Sequence, residues 1–494
     1  MDAGARPAWL RRAELGALAA VSLLALAGWL LVHVLPTYDS LSSLVWGREI
    51  LHGTVPSFSA AGAPTEHPLW LAVSTVLAVF GEAGARMMTL LSVALFVVML
   101  TGVYVLGRTV FGWIAGAIAA AVLMTRFDFD FWAAFAFVDV PFLAAVVWAA
   151  ALEAQRPRRG GVVWALLIAA GLLRPEGWLF AAAYGVWMGW HASGRERLRI
   201  AALVASAPLV WALVDLAVTG DPTFSLTYTQ TAAGDLRRTI GLAHIPGATR
   251  EMFDEVLKVP VTIAGVIGLG VAIVDHRRRL GELRVPLALL ALGLASFAVV
   301  LAAGVSQVNR YGATAAIALL LFAAALVARL LRRPTTNAGW AISAATVVLL
   351  VGAVIWSAPR LHPRHAVSEV TFRSAVERDL RRVLATPAFR HGRTCGPVIV
   401  PSHKLVPLVR WLLHASQSDV IARTNMHGAG ALQGSVHGVA LIELGYRLNL
   451  DPAYGPYASK PEEYPLYSTV PPPGYDWVGR TKRFAVYASC PSEA

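Results

Sequence analysis

VVWALLIAAGLLRPEGWLFAAAYGVWMGW, residues Val162–Trp190, is two apolar arms meeting at Arg174-Pro175-Glu176. A proline inside a helix removes a backbone donor and clashes with the preceding turn. Two ionised side chains are costly in hydrocarbon. The stretch therefore predicts two short helices rather than one long one. Each arm is about 20 Å long at 1.5 Å per residue, less than the ~30 Å of a bilayer's apolar layer. The apex is thus placed in a recess below the outer membrane surface.

Nine further apolar runs extend this pattern outward, eleven with the two arms. Apolar runs cover residues 15–35, 87–106, 111–124, 131–152, 162–173, 177–190, 200–218, 259–274, 285–303, 312–331 and 338–358. Basic residues cluster at Arg108, at Arg156/Arg158/Arg159, at Arg195/Arg197/Arg199, at Arg277/Arg278/Arg279/Arg284 and at Arg329/Arg332/Arg333. If all of these lie in the cytoplasm with the N-terminus, as positive-inside loops do, an even number of crossings separates each neighbouring pair. Eleven crossings satisfy that condition, but only if Val162–Trp190 is a hairpin. The fold class read from sequence is therefore an α-helical polytopic membrane protein with about eleven transmembrane helices over residues 1–358. Its long external loops are 36–86 and 219–258. The C-terminus lies outside, in a small extracytoplasmic α/β domain over 359–494, and the localisation expected is the plasma membrane.

Composition supports that class. Of 494 residues, 56% are hydrophobic and 15% charged, against about a quarter charged in soluble domains; mean hydropathy is +0.59. The net charge of +12 is accounted for by cytoplasmic loops, so no nucleic-acid partner is inferred. Two cysteines, Cys395 and Cys490, exclude a thiolate metal cluster. Outside the cytoplasm they can form a disulfide; two unpaired core thiols are the alternative. In the C-terminal domain Gly396–Val400 and Arg483–Ala488 read as strands and Lys404–Ala415 as an amphipathic helix.

Ionisable residues gather at the outer ends of the spans: Asp39, Glu66, His67, Asp128, Asp130, Asp139, Arg174, Glu176, Asp215 and Arg310. A transporter usually places such groups mid-span; here the pattern points to a reaction centre at the outer face. The first external loop contains Leu35-Pro-Thr-Tyr-Asp39-Ser and Pro64-Thr-Glu66-His67-Pro68-Leu-Trp70. Between them, Ser40–His52 has the spacing of a helix lying along the membrane, with Leu41, Leu44, Val45, Ile50 and Leu51 free to face lipid. Leu69–Phe80 reads as a second such segment.

An Asp just past the first span, a flat helix ending near Gly-x-x-Pro and the Pro-Thr-Glu-His-Pro-Leu-Trp segment resemble the GT-C glycosyltransferases. The resemblance extends to a charged second external loop, a short hairpin with a basic apex, a late Arg-Tyr and a C-terminal external domain. It implies an inverting transferase that takes a sugar, of the mannose or arabinofuranose class, from a polyprenyl phosphate. The partners implied are that lipid-linked sugar, a cell-envelope glycan, lipid or protein acceptor, and the membrane lipids themselves. Several members pair two acids in this loop; here Ser40 follows Asp39.

A lipid phosphate leaves without a general acid, whereas an acceptor hydroxyl needs a base. Asp39 is the candidate base, with helix N-capping as its alternative role. Arg174 and Arg310 are candidates for the donor phosphate, since arginine forks suit phosphate oxygens; a salt bridge from Arg174 to Glu176 is the competing reading. Glu66, His67, Glu176, Asp139 and Tyr228 are candidate substrate contacts, with Gln230, Asp235, Arg237 and Arg238 on the same long loop as Tyr228. Asp139 needs a partner if it lies inside its span, and Arg126 is a candidate. Asp128 and Asp130 form an Asp-x-Asp that can offer hard oxygen ligands to a divalent cation, Mg or Mn, as related oligosaccharyltransferases do; no other cofactor is implied. Tyr454, Tyr457, Tyr464, Tyr467, Tyr475 and Trp477 alternate with prolines and can stack on a glycan. A transporter or flippase of a lipid-linked saccharide, or a non-catalytic scaffold, is the alternative function.

Overall fold

The structure is a computed structural model that describes residues 7–60, 62–235, 241–331, 334–358, 363–423, 437–445 and 471–491. Helix α1 (Ala8–Leu31) is followed by two loop helices, α2 (Tyr38–Leu51) and α3 (Pro68–Ala78), and then by the long α4 (Glu82–Phe111). Next come α5 (Trp113–Met124), α6 (Phe127–Ala134), α7 (Asp139–Gln155), α8 (Gly161–Leu173), α9 (Glu176–Gly189) and α10 (Gly194–Thr219). The helical part ends with α11 (Phe224–Asp235), α12 (Ile245–Val256), α13 (Val259–Asp275), α14 (Arg284–Ala302), α15 (Ala313–Ala328) and α16 (Asn337–Ser357).

Among the described residues, six helical runs are long and apolar enough to cross a membrane: α1, α4, α10, α14, the Asn309–Leu331 run that contains α15, and α16. Two bent pairs, α6 with α7 at 115° and Leu242–Val256 with α13 at 110°, raise the number to eight. Each of the eleven apolar runs of the sequence has a helix. However, α5, α8 and α9 have only 12, 13 and 14 residues, about 18–21 Å at 1.5 Å per residue. Side chains such as Leu24 on α1, Leu213 on α10 and Val348 on α16 are exposed apolar groups, as a lipid-facing surface requires. By contrast α15, apolar on every face, is buried along nearly its whole length, the pattern of a helix enclosed by neighbours.

The Val162–Trp190 stretch is a hairpin of α8 and α9. Pro175 disfavours helical geometry for the residue before it, and Arg174 is extended at φ −153°, ψ 139°. The two helices approach closely because Gly177 has no Cβ: one built there would lie 2.5 Å from the Gly171 nitrogen.

The first loop departs from the sequence reading. Leu41, Leu44 and Val45 do not face lipid; they are 3%, 0% and 1% exposed, packed under α3 and the C-terminal domain. Ile50 and Leu51, at the far end of α2, are exposed. The apolar stripe of α2 is thus part of the protein core.

The C-terminal domain begins with α17 (Pro363–Leu384) and α18 (Pro387–Thr394), followed by β1 (Val398–Val400), α19 (Val406–Leu413), β2 (Val420–Ala422), β3 (Gly438–Glu443), β4 (Asp476–Arg480) and β5 (Phe484–Ser489). The sheet order is β2-β1-β3-β5-β4. β1 runs parallel to β2 and β3, while β5 runs antiparallel to β3 and β4. The sequence reading found β1, α19 and β5 and missed β2, β3 and β4. Cys395 and Cys490, which flank β1 and β5, are disulfide-bonded with Cα atoms 5.0 Å apart.

This domain grips the first loop. Arg410 on α19 reaches Glu49 at 2.5 Å and donates to the Ser57 hydroxyl at 2.9 Å. In return Arg48 on α2 donates to the Arg410 and Trp411 carbonyls at 2.9 and 3.2 Å and lies over the Trp411 ring. Tyr454, Tyr457, Tyr464 and Tyr467 lie outside the described residues; Trp477 is an exposed residue of β4.

Candidate active site

Asp39 stands in the first turn of α2, where a carboxylate complements the helix dipole; the N-cap position itself belongs to Thr37. Three hydrogen bonds fix this turn. Thr37 N–H donates to the Phe135 carbonyl at 2.8 Å, Ser40 Oγ to the Ala136 carbonyl at 2.5 Å, and Trp70 Nε1 to Ser40 Oγ at 3.0 Å. Ala136 is held at φ 54°, a conformation that a Cβ disfavours. The start of α2 and the segment between α6 and α7 are therefore locked together directly behind Asp39.

Arg310 lies in the 3-10 turn Asn309–Gly312 ahead of α15. Its Nη2 is 3.6 Å from Asp39 Oδ2, and its Nε is 3.5 Å from Asp139 Oδ2. Asp139 in turn meets Arg174 at 2.5 Å, and Arg174 meets Glu176 at 2.5 Å. Asp39, Arg310, Asp139, Arg174 and Glu176 thus form one alternating chain of charge, three carboxylates to two guanidinium groups. The Tyr311 ring lies 4.5 Å from the Arg174 guanidinium carbon and 5.8 Å from that of Arg310; Phe137 adds a second face to Arg310 at 5.1 Å. Asp139 is partnered by these two arginines and not by Arg126, which donates to the Leu257 carbonyl and the Thr125 hydroxyl.

Exposure separates the members of the chain. The Arg174 and Asp139 side chains are 7% and 2% exposed, whereas Arg310 and Asp39 are 22% and 20% exposed. Arg174 is fully engaged by two carboxylates, so the salt bridge to Glu176 is the arrangement found. Arg310 is the guanidinium that a ligand can meet. Burial pushes the Asp39 carboxyl above the usual carboxylate range, with Arg310 and a hydrogen bond from Tyr38 pulling it partly back.

His67 caps α3 in an extended conformation set by Pro68, and its ring meets Trp211 edge-on at 5.8 Å. Burial, together with the positive charge of Arg174 and Arg310, pushes it down to about 3, so the ring is neutral. Its Nδ1 is buried with no hydrogen-bond partner.

Glu66 is 1% exposed and belongs to a separate cluster. Ser225 Oγ lies 2.5 Å from Glu66 Oε1 and 2.6 Å from Asp215 Oδ1. One hydroxyl carries one proton, so it cannot donate to both; a protonated Glu66 donates to Ser225, and Ser225 donates to Asp215. Burial, reinforced by Asp215, pushes Glu66 up to about 9. The folded protein therefore keeps a proton that the unfolded chain releases near the ordinary value of 4.5, and its stability declines as pH rises through that window. A Glu66→Gln variant, which imitates the protonated acid, is expected to match wild type in thermal midpoint near pH 5 and to exceed it increasingly towards pH 9. Melting curves that run parallel across that range would refute the assignment.

Tyr228, Asp128 and Asp130 lie apart from the ion chain among other contacts. Tyr228 donates its hydroxyl to the Ala60 carbonyl at 3.1 Å and stacks on Phe224, so it ties α11 to the first loop; Arg237 and Arg238 lie outside the described residues. Asp128 and Asp130 are not in an open loop but in the first turn of α6, two residues and about 200° apart around the axis. Asp128 lies 3.9 Å from Lys258. Among the described residues no group of three or more His, Cys, Asp or Glu is gathered to hold a metal. Sequence reasoning missed Ser225, which has no signature in the chain, and the ring of Tyr311 beneath both arginines.

No family model matches the chain, and no curated protein matches it. Among solved structures it is similar to the Archaeoglobus fulgidus oligosaccharyltransferase in its apo form, at 13% sequence identity and a TM-score of 0.46. The likeness covers 84% of this chain and 65% of that one, so this chain spans just under two thirds of its neighbour's length.

Proposed function

We propose that the protein is an inverting glycosyltransferase at the outer membrane face, moving a sugar from a polyprenyl phosphate to a hydroxyl of a cell-envelope glycan, lipid or protein. The observation that carries this reading is the placement of a part-exposed carboxylate, Asp39, 3.6 Å from a part-exposed guanidinium, Arg310. Asp39 takes the proton of the acceptor hydroxyl. The hydroxyl oxygen attacks the anomeric carbon from the side opposite the phosphate, the carbon–oxygen bond to phosphate breaks, and the phosphate leaves with the bonding pair. Arg310 receives that charge, and Asp39 later returns its proton to water. A base raised above the ordinary carboxylate range by burial takes up the proton more readily. Arg174 holds Asp139, and Asp139 orients Arg310. The buried, neutral His67 has an unused nitrogen for a sugar hydroxyl.

Eleven crossings, a cytoplasmic N-terminus and an external C-terminal domain in the plasma membrane complete the reading, supported by the charge placement and by a disulfide suited to an oxidising compartment. The choice of mannose or arabinofuranose rests on the sequence resemblance. The test is transfer from synthetic polyprenyl-phosphate mannose and arabinofuranose by purified protein. Arg310→Ala is expected to lower turnover about 10²–10³-fold, the scale for removing one charge-stabilising donor, with Arg310→Lys intermediate. Undiminished transfer by Arg310→Ala would refute it.

A further inference from the structure

A cavity lies at the opposite end of the helices that carry the ion chain. Asp139 opens α7 and Glu153 stands near its close, about 21 Å away along the axis. There, α7, α8, α9 and α14 enclose an apolar space of about 250 Å³ walled by Val146, Leu167, Phe180 and Leu289, with Glu153 and Arg284 at its edge. A second, more polar hollow of about 430 Å³ shares Arg284 and Val285 with it and adds Thr109, Arg279 and Glu282, the last two paired with each other at 3.7 Å.

The charge at this edge is unbalanced. The Arg158 and Arg284 guanidinium groups both stack on Trp187, at 4.6 and 5.3 Å. The adjacent acid, Glu153, is already engaged: it accepts from the Arg158 and Arg159 backbone at 2.8 and 3.4 Å, from Tyr184 at 3.4 Å and from Trp187 Nε1 at 2.8 Å. Neither Arg158 nor Arg284 has an ion-pair partner among the described residues. Two such cations on one indole, with Trp187 and Arg284 themselves lining the apolar cavity, match a ligand with an anionic head and a hydrocarbon tail.

We propose that this site binds one anionic glycerophospholipid, its phosphate held between Arg158 and Arg284 and an acyl chain in the apolar cavity. On the charge-based topology this is a lipid of the cytoplasmic leaflet. The donor lipid is not the occupant, because its phosphate has to reach Asp39 at the far end of α7. The site is independent of the proposed transfer reaction.

The test uses full-length protein extracted from vesicles of equal phosphatidylglycerol and phosphatidylcholine, with retained lipids counted by native mass spectrometry. Wild type is expected to keep phosphatidylglycerol at least tenfold over phosphatidylcholine. The Arg158→Gln/Arg284→Gln protein is expected to lose that preference, and Ala288→Trp, from an exposed position on the cavity wall, to lose the retained lipid. Equal retention of the two lipids by wild type would overturn the proposal without recourse to any variant. So would a preference unchanged in the double variant, or displacement of phosphatidylglycerol by an equimolar polyprenyl phosphate.

Discussion

Asp39→Asn is expected to slow sugar transfer about 10²–10⁴-fold, the contribution of a positioned general base, while donor affinity is improved. Asparagine fills the same volume but cannot accept the acceptor's proton. It also removes the carboxylate that shares Arg310 at 3.6 Å, leaving that guanidinium freer for a phosphate. The signature is thus a fall in kcat with a lower KM for the donor, whereas partial unfolding lowers the apparent kcat and leaves KM unchanged. Because burial raises Asp39, and because the base must be ionised, wild-type activity is lost on acidification at a higher pH than an ordinary carboxylate would give. Asp39→Asn is expected to lack that acid limb in its residual rate. Steady-state kinetics with a synthetic donor across pH 4–8 checks both; a variant within threefold of wild type would remove Asp39 from the reaction.

The second large effect concerns stability. Arg174→Met is expected to destabilise the protein by about 3–5 kcal/mol, the cost of removing one partner from a buried ion pair. The methionine fills part of the volume but leaves Asp139 and Glu176, 2% and 5% exposed as side chains, without their shared cation. Arg310 is 3.5 Å from Asp139 and compensates only in part. Adding Glu176→Gln to the variant removes one of the stranded charges and is expected to recover a good fraction of the loss. Thermal unfolding in detergent, followed by intrinsic fluorescence, measures the series. An Arg174→Met protein as stable as wild type would mean that the alternating chain is not a structural brace.

The positions of the helices were legible because lipid imposes a length and a hydrophobicity that few other environments demand. The break at Arg174-Pro175 was legible for a second reason: proline disfavours helical geometry at its predecessor, and two ionised side chains flank it. Which acid would face which base was only partly legible. Glu176 is two residues from Arg174, so their pairing was foreseeable, but Asp139 and Arg310 are 35 and 136 positions from Arg174 in the chain, and no local pattern joins them. The lipid-facing reading of Leu41, Leu44 and Val45 failed because amphipathic spacing reveals that a helix has an apolar face, not what covers it. That cover includes α19, from a domain in which β1 and β5 were read from the sequence but β2, β3 and β4 were not. The loop assumed for Asp128 and Asp130 was not legible correctly either: Phe127–Ala134 is helical, and both residues stand in its first turn.

The bond between Arg410 and Glu49 joins positions 361 residues apart. At a synthesis rate of about 5–20 residues per second, the helix that presents Asp39 waits roughly 20–70 s on the ribosome before its clasp is made. A nascent chain that has made its apolar helices but not yet α19 lacks the piece that clasps α2, so the turn bearing Asp39 is seated only after Arg410 has been made.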